Sequence, residues 1–298
     1  MLDAALQGLL LGGYYAILAA GLSLMFGVIR LTNLAHGDLA VLGAYLVLFC
    51  VERFGLSPWL AMLAVLPAMA GLGWVLQATL FARTLRGGFL LPLLTTFGLG
   101  AVLQNGMFGL FGSDTKSLGN AIGSLAWDSW QLPFGISLGK LPVLTFVIAV
   151  LVLVALQLVL SRTKLGRAIR ATAADPEAAQ LVGVDAKTVH RAAAAIAVGL
   201  AGLAGAFLAM RALINPYSGP QQLIFAFEAV VIGGIGSLWG TLIGGIVLGM
   251  AQSLGSLISP QWFQLAGHLV FLGVLGARVY LTHAGSRGGL NLLFKGVR

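Results

Sequence analysis

Charge is what this chain most lacks. Only 9% of its 298 residues are Asp, Glu, Lys or Arg, and 59% are hydrophobic, whereas soluble domains carry roughly a quarter charged residues. Water is therefore excluded as its main solvent. Acidic residues are scarcer than basic ones, 9 against 17, for a net charge of +8. The basic residues sit between apolar runs and in the tail, where membrane orientation places them, so no nucleic-acid partner is expected. Cysteine is limited to Cys50 inside an apolar run, which excludes a disulfide framework or a cysteine metal site within one chain. His36, His190, His268 and His283 include no i, i+4 pair, so no helical metal site is argued. No G-x-x-x-x-G-K-[ST] loop occurs; the chain holds neither ATP nor Mg by that route, and any ATP-driven cycle must use a partner's motor. GISLG at 135–139 has G-x-S-x-G spacing, but a nucleophile elbow needs a strand-to-helix turn that an all-helical chain lacks. With no paired nucleophile and base, an enzyme is not expected.

What is present is apolar sequence in long windows. Segments able to cross about 30 Å of hydrocarbon fall at 5–27, 59–81, 89–112, 143–160, 192–213 and 262–282, with shorter or glycine-broken windows at 38–52, 221–236 and 240–257. The expectation is an all-α integral membrane protein: a polytopic bundle of about eight or nine transmembrane helices, some broken or re-entrant, in one domain over 1–298. The 42 glycines fit close helix packing in lipid. The first apolar segment starts directly after Met1, Leu2 and Asp3 and runs past Val28, which reads as a retained span rather than a signal peptide. Lys and Arg concentrate on the cytoplasmic side. The 161–191 loop carries Arg162, Lys164, Arg167, Arg170, Lys187 and Arg191, and the tail carries Arg287, Lys295 and Arg298; both are expected inside, with the short Arg83–Arg86 loop. The 113–142 loop, where Asp114 and Asp128 balance Lys116 and Lys140, is expected outside. Nine crossings then put the amino terminus outside and the carboxyl terminus in the cytoplasm.

Three constellations could carry function. NLAHGD, Asn33 to Asp38, places Asn33, His36, Gly37 and Asp38 between apolar segments. Such a cluster faces protein or a water-filled path, or it marks a helix boundary in which Asn33 and His36 end one span and Asp38 caps the next. Glu228 is a lone carboxylate in IFAFEAVVIGGIGSLWGTLIGG, either a path residue or the hydrated outer end of a short helix. Gly236, Gly240 and Gly244, spaced by four, read as a packing seam if helical. In the cytoplasmic SRTKLGRAIRATAADPEAAQLVGVD segment, Asp175 suits an N-cap, Pro176 and Glu177 the first turn, and Gly183 the C′ position. That punctuation predicts a helix of about two turns, too short to stand alone and so in need of a docking surface such as a soluble partner.

GLSLMFGVIRLTNLAHGDLAVLGAY, LTTFGLG, SRTKLGRAIRATAADPEAAQLVGV and FAFEAVVIGGIGSLWGTLIGG together resemble the permeases of branched-chain amino acid ABC importers. The likeness extends along nearly the whole chain and is nearer to the shorter, LivH-type permease. It implies an inner-membrane permease paired with a second homologous permease, two cytoplasmic ATPase subunits that bind ATP and Mg, and a periplasmic substrate-binding protein. It carries an ATPase-coupling pattern onto Arg162, Gly166, Arg167, Arg170, Ala171, Ala178, Ala179 and Gly183. A path-side pattern falls on Asn33, His36, Gly37, Asp38, Gly233, Gly234 and Gly236. The family usually ends in Arg-Pro-x-Gly-Leu, where this chain reads SRGGLNLLFKG. Urea or short-amide import uses the same architecture, and an ion-coupled secondary carrier is the more distant alternative.

Overall fold

The computed structural model describes residues 1–85, 88, 90–132 and 136–287; Arg86 and the tail beyond Arg287 lie outside them. Each apolar window contains a helix. In order, the chain forms α1 (Leu2–Ile29), α2 (His36–Phe54) and α3 (Pro58–Leu76), which continues through a π-helical turn (Gln77–Phe81) into α4 (Ala82–Thr84). There follow α5 (Leu90–Phe111), α6 (Lys140–Arg162), two short helices α7 (Lys164–Ala174) and α8 (Pro176–Leu181), then α9 (Ala186–Arg211), α10 (Gly219–Gly233), α11 (Leu238–Gly255) and α12 (Trp262–Arg287).

Among the described residues, seven helices are long and apolar enough to cross a bilayer. The other two windows fall short for separate reasons. Helix α2 carries Asp38, Glu52 and Arg53, and α10 has 15 residues, a rise of about 22 Å against a hydrocarbon core of about 30 Å.

Helices α1 and α9 form the centre. Lipid gives two apolar helices no hydrophobic reason to associate, so close backbone packing has to supply it. A Cβ built on Gly12 of α1 would lie 2.5 Å from Ile246 Cα of α11, and Gly8 meets Met250 and Gly249 in the same way. Because 8 pairs with 249 and 12 with 246, the two helices run antiparallel. Gly205 of α9 is pressed against the Ala40 carbonyl of α2. On the periphery, α3, α5, α6 and α12 expose large apolar side chains such as Leu63, Phe97, Leu151 and Leu272, suited to acyl chains.

The 113–142 connection departs from the all-helical expectation: it contains an antiparallel hairpin of β1 (Ser129–Leu132) and β2 (Ile136–Gly139). Alternating polar and apolar residues on both strands have the period of a pleated ribbon, a signal too short to stand out between spans. Ser137 sits within β2, where Gln131 Nε2 donates to its Oγ at 3.3 Å, not on the strand-to-helix turn; the elbow reading fails on geometry as well. Lys140 pairs with Asp128 at 2.8 Å and Lys116 with Glu52 at 3.2 Å, while Lys116 also bridges Ile214. The ends of α2 and α9 are thereby tied to the hairpin end of the bundle, and the 162–185 segment lies at the opposite end of α6 and α9.

Candidate functional site

Helix α1 ends at Ile29, with Arg30 in the left-handed region (φ 57) donating its N–H to Phe26 O. The chain then turns back into the bundle. Asn33 Oδ1 accepts from Ala35 N–H at 3.1 Å, and His36 Nε2 lies 2.9 Å from Leu18 O. A carbonyl can only accept, so Nε2 carries the proton. Leu18 precedes the end of α1 by about 16 Å of helical rise, so α2 begins inside the bundle, as a re-entrant segment does.

The boundary reading of Asn33–Asp38 needs correction. Ala35 occupies the N-cap position and no side chain caps α2; Asp38 lies in its first turn with its carboxylate turned sideways. Gln104 Nε2 of α5 donates to Asp38 Oδ1 at 2.9 Å. A Cβ on Gly100 would stand 2.7 Å from Asp38 Oδ2, Gly219 of α10 lies against Oδ1, and Gly37 meets the Gly219 carbonyl. Asn33 and His36 are fully buried and Asp38 is 3% exposed. Asp38 thus joins α2, α5 and α10. Gln104, Gly100 and Gly219 escaped sequence reasoning, since no periodicity links them to NLAHGD.

Glu228 is not at a hydrated helix end. It is 3% exposed, and its Oε1 lies 2.5 Å from His268 Nδ1 of α12, while Oε2 is buried with no hydrogen-bond partner. The residue missed from sequence is His268, which had no spacing signal. Beside this pair runs a buried aromatic and amide cluster. Tyr14 OH donates to Gln222 Oε1 at 2.6 Å, Tyr15 OH donates to Gln252 Oε1 at 2.5 Å, and Phe225 stacks on His268. Glu228 stands nine residues beyond Gly219 on α10, about 14 Å of rise, so the structure does not bring Asp38 and Glu228 into one site.

Gly233 and Gly244 lie on the α10–α11 seam together with Gly240, which contacts the Gly233 carbonyl. Gly236 does not belong to that helical seam. With φ of 102 and 81, Gly234 and Gly236 form the turn between the helices, a conformation that side chains disfavour. Gly236 N–H donates to Ser23 Oγ at 3.1 Å. Here two groups of sequence-selected residues meet: Gly236 and Arg170 line one cavity of about 450 Å³ with Ser23, Gln157 and Trp239.

The 162–185 segment forms two helices where one was expected. Thr163 Oγ1 accepts from Gly166 N–H and caps α7; Gly166 abuts the Val159 and Leu160 carbonyls so closely that no side chain fits. Arg162, Arg167, Arg170 and Ala171 are exposed. Asp175 Oδ1 caps α8 by accepting from Glu177 and Ala178 N–H at 2.9 and 3.0 Å, Pro176 is its first residue, and Gly183 follows the Val182 C-cap with φ 85. That is the expected punctuation. Helix α8 packs on α7 and α9 and buries Ala179, 3% exposed, while Ala178 faces outward and Leu181 and Val182 are 90% and 79% exposed. At the next junction Asp185 accepts from Lys187 N–H and Thr188 OH; the Thr188 hydroxyl holds its carboxyl below the usual range. Among the described residues no His, Cys, Asp and Glu cluster could hold a metal.

The family profile described as branched-chain amino acid transport system / permease component matches residues 4–275. The chain is 32% identical over 266 residues to the high-affinity branched-chain amino acid transport system permease protein BraD of Pseudomonas aeruginosa, covering 86% of each. It is 29% identical over 259 residues to the permease protein LivH of Escherichia coli, covering 84% of each. Its identity to LivM of the same organism is 28% over 271 residues, 80% of this chain and 61% of LivM. No solved structure matches.

Proposed function

The chain belongs to the family of branched-chain amino acid transport permeases, and from that premise we propose that it is the membrane-spanning permease subunit of an ATP-driven importer of Leu, Ile and Val. The observation that carries the reading is the family match over residues 4–275 in a chain that has no phosphate loop of its own. A second homologous permease completes the path, as the likeness to both LivH and LivM supports. Two ATPase subunits dock under α7 and α8, and a periplasmic binding protein delivers the solute at the hairpin end. In that orientation the carboxyl terminus is cytoplasmic.

The coupling surface is the exposed side of the α7–α8 pair. Arg162, Arg167 and Arg170 supply positive charge, and Leu181 and Val182 form an apolar knob that would otherwise stand in water. Ala171, Ala178 and Gly183 keep that surface shallow, Gly166 fixes α7 against the end of α6, Asp175 fixes the start of α8, and Ala179 seats α8 on the bundle. Movement of α7 reaches the α10–α11 turn at Gly233, Gly234 and Gly236 through the cavity that Arg170 and Gly236 share. Asn33, His36, Gly37, Asp38 and Glu228 hold the segments that shape the path. The reading is tested by isolating the tagged chain from its native membrane in mild detergent and assaying the reconstituted assembly for uptake. An ATPase and a second permease should accompany it, and leucine uptake should require ATP; uptake driven by a proton gradient without ATP would defeat the reading.

A further inference from the structure

Arg211 ends α9 at the hairpin end of the bundle, with its Cζ 4.8 Å from the centroid of the Tyr14 ring. Tyr14 is itself buried and anchored through its hydroxyl to Gln222, so the ring is a fixed platform. Resting on a ring uses none of the five guanidinium N–H donors. Among the described residues Arg211 has no carboxylate partner; Asp3, one turn from Gln7 on α1, accepts instead from Ser137 N–H at 3.1 Å. A permanent cation is therefore positioned without an anion.

Arg211 borders a cavity of about 220 Å³ between α1, α6, α11 and α12. The serine and threonine hydroxyls that line it have spent their donors elsewhere. Gln7 Nε2 donates one N–H to Ser137 O, Thr145 OH donates to Leu141 O, Ser253 OH to Ala4 O and Ser256 OH to Ser253 O, which leaves Gln7 Oε1 and three hydroxyl oxygens as acceptors. Leu11, Leu141 and Phe263 supply apolar wall. The lining thus offers one cation, several acceptors and an aliphatic surface.

We propose that this cavity binds a zwitterionic amino acid with an aliphatic side chain, its carboxylate on Arg211, its ammonium toward the Gln7 and Thr145 oxygens and its side chain on the leucine and phenylalanine wall. This rests on the importer reading and adds a solute site at the hairpin end. Arginine suits a planar carboxylate because its donors are arranged as a fork. A lipid phosphate presents the same anionic oxygen chemistry, and the test separates the two.

The full chain is placed in nanodiscs of phosphatidylcholine alone and titrated with L-leucine and with leucinamide, which lacks the carboxylate. Leucine should bind saturably and leucinamide at least tenfold more weakly. Arg211→Gln should lose at least tenfold in leucine affinity, with Arg211→Lys, which keeps the charge over Tyr14, intermediate. Equal binding of the two ligands, or no saturable leucine binding, overturns the proposal without reliance on any variant. So does Arg211-dependent thermal stabilisation by phosphatidylglycerol but not by leucine, which would make the cavity a headgroup site. ATP-dependent uptake by the isolated assembly judges the importer separately: uptake by Arg211→Gln with unchanged KM would remove the cavity and leave the importer intact.

Discussion

Glu228 of α10 and His268 of α12 meet at 2.5 Å, the carboxylate 3% exposed and the imidazole half-buried. Helix α12 is otherwise among the least buried of the spans, so this contact and the Arg278 Nη2 to Ile232 O bond at 2.9 Å fix it to α10. Removing His268 leaves a buried carboxylate with neither oxygen satisfied. His268→Leu should lower stability by about 1–3 kcal/mol, whereas Glu228→Leu combined with His268→Leu should cost less than the single change. Thermal unfolding in detergent checks the order, and a double variant worse than His268→Leu contradicts the account.

Close helix contact sets a second expectation. Gly205 leaves no room before the Ala40 carbonyl, whereas a Cβ on Gly71 of α3 meets nothing within 4 Å. Gly205→Ala should therefore destabilise by about 1–3 kcal/mol through overpacking. Gly71→Ala should be neutral or gain about 0.5–1 kcal/mol from helix propensity. Equal melting temperatures for the two variants would count against the α2–α9 contact.

Helix α8 offers separate tests of folding and of the proposed coupling. Leu181→Asp changes only an exposed side chain and should abolish ATP-linked uptake while insertion and melting stay normal. Ala179→Arg forces a cation into the buried side of α8 and should instead expose residues 175–185 to protease. Asp175→Ala removes the cap, at a local cost of about 1 kcal/mol. If Leu181→Asp transports normally, the exposed knob is not the coupling surface.

Acid should loosen the α8–α9 junction. Asp185 accepts from Thr188 OH and Lys187 N–H, and the Thr188 bond holds its carboxyl below the usual carboxylate range. A lowered folded-state value means that the carboxylate's contribution is complete above the ordinary carboxylate range and is lost as pH falls through the lowered value. Hydrogen exchange at 186–189 should therefore accelerate in acid, and Asp185→Asn should remove that pH dependence. Equal acid sensitivity in the variant would assign the effect to another group.

The sequence by itself determined the solvent and the local punctuation. Nine apolar windows became nine helices because each segment satisfies its own backbone hydrogen bonds in lipid. The Asp175 cap, Pro176 and Gly183 were legible because capping acts within a few residues of the chain. Tertiary structure decided the partners. Gln104 and Gly219 around Asp38, His268 opposite Glu228, and Tyr14 under Arg211 are remote in sequence, and only the packing of helices fixes which of many apolar faces brings them together. It also decided that Ala179 points inward, that Gly236 turns the chain instead of lining a helix, and that the 113–142 connection pairs as a hairpin. Each depends on backbone approach or on a facing segment, and neither is encoded in the residues of one element taken alone.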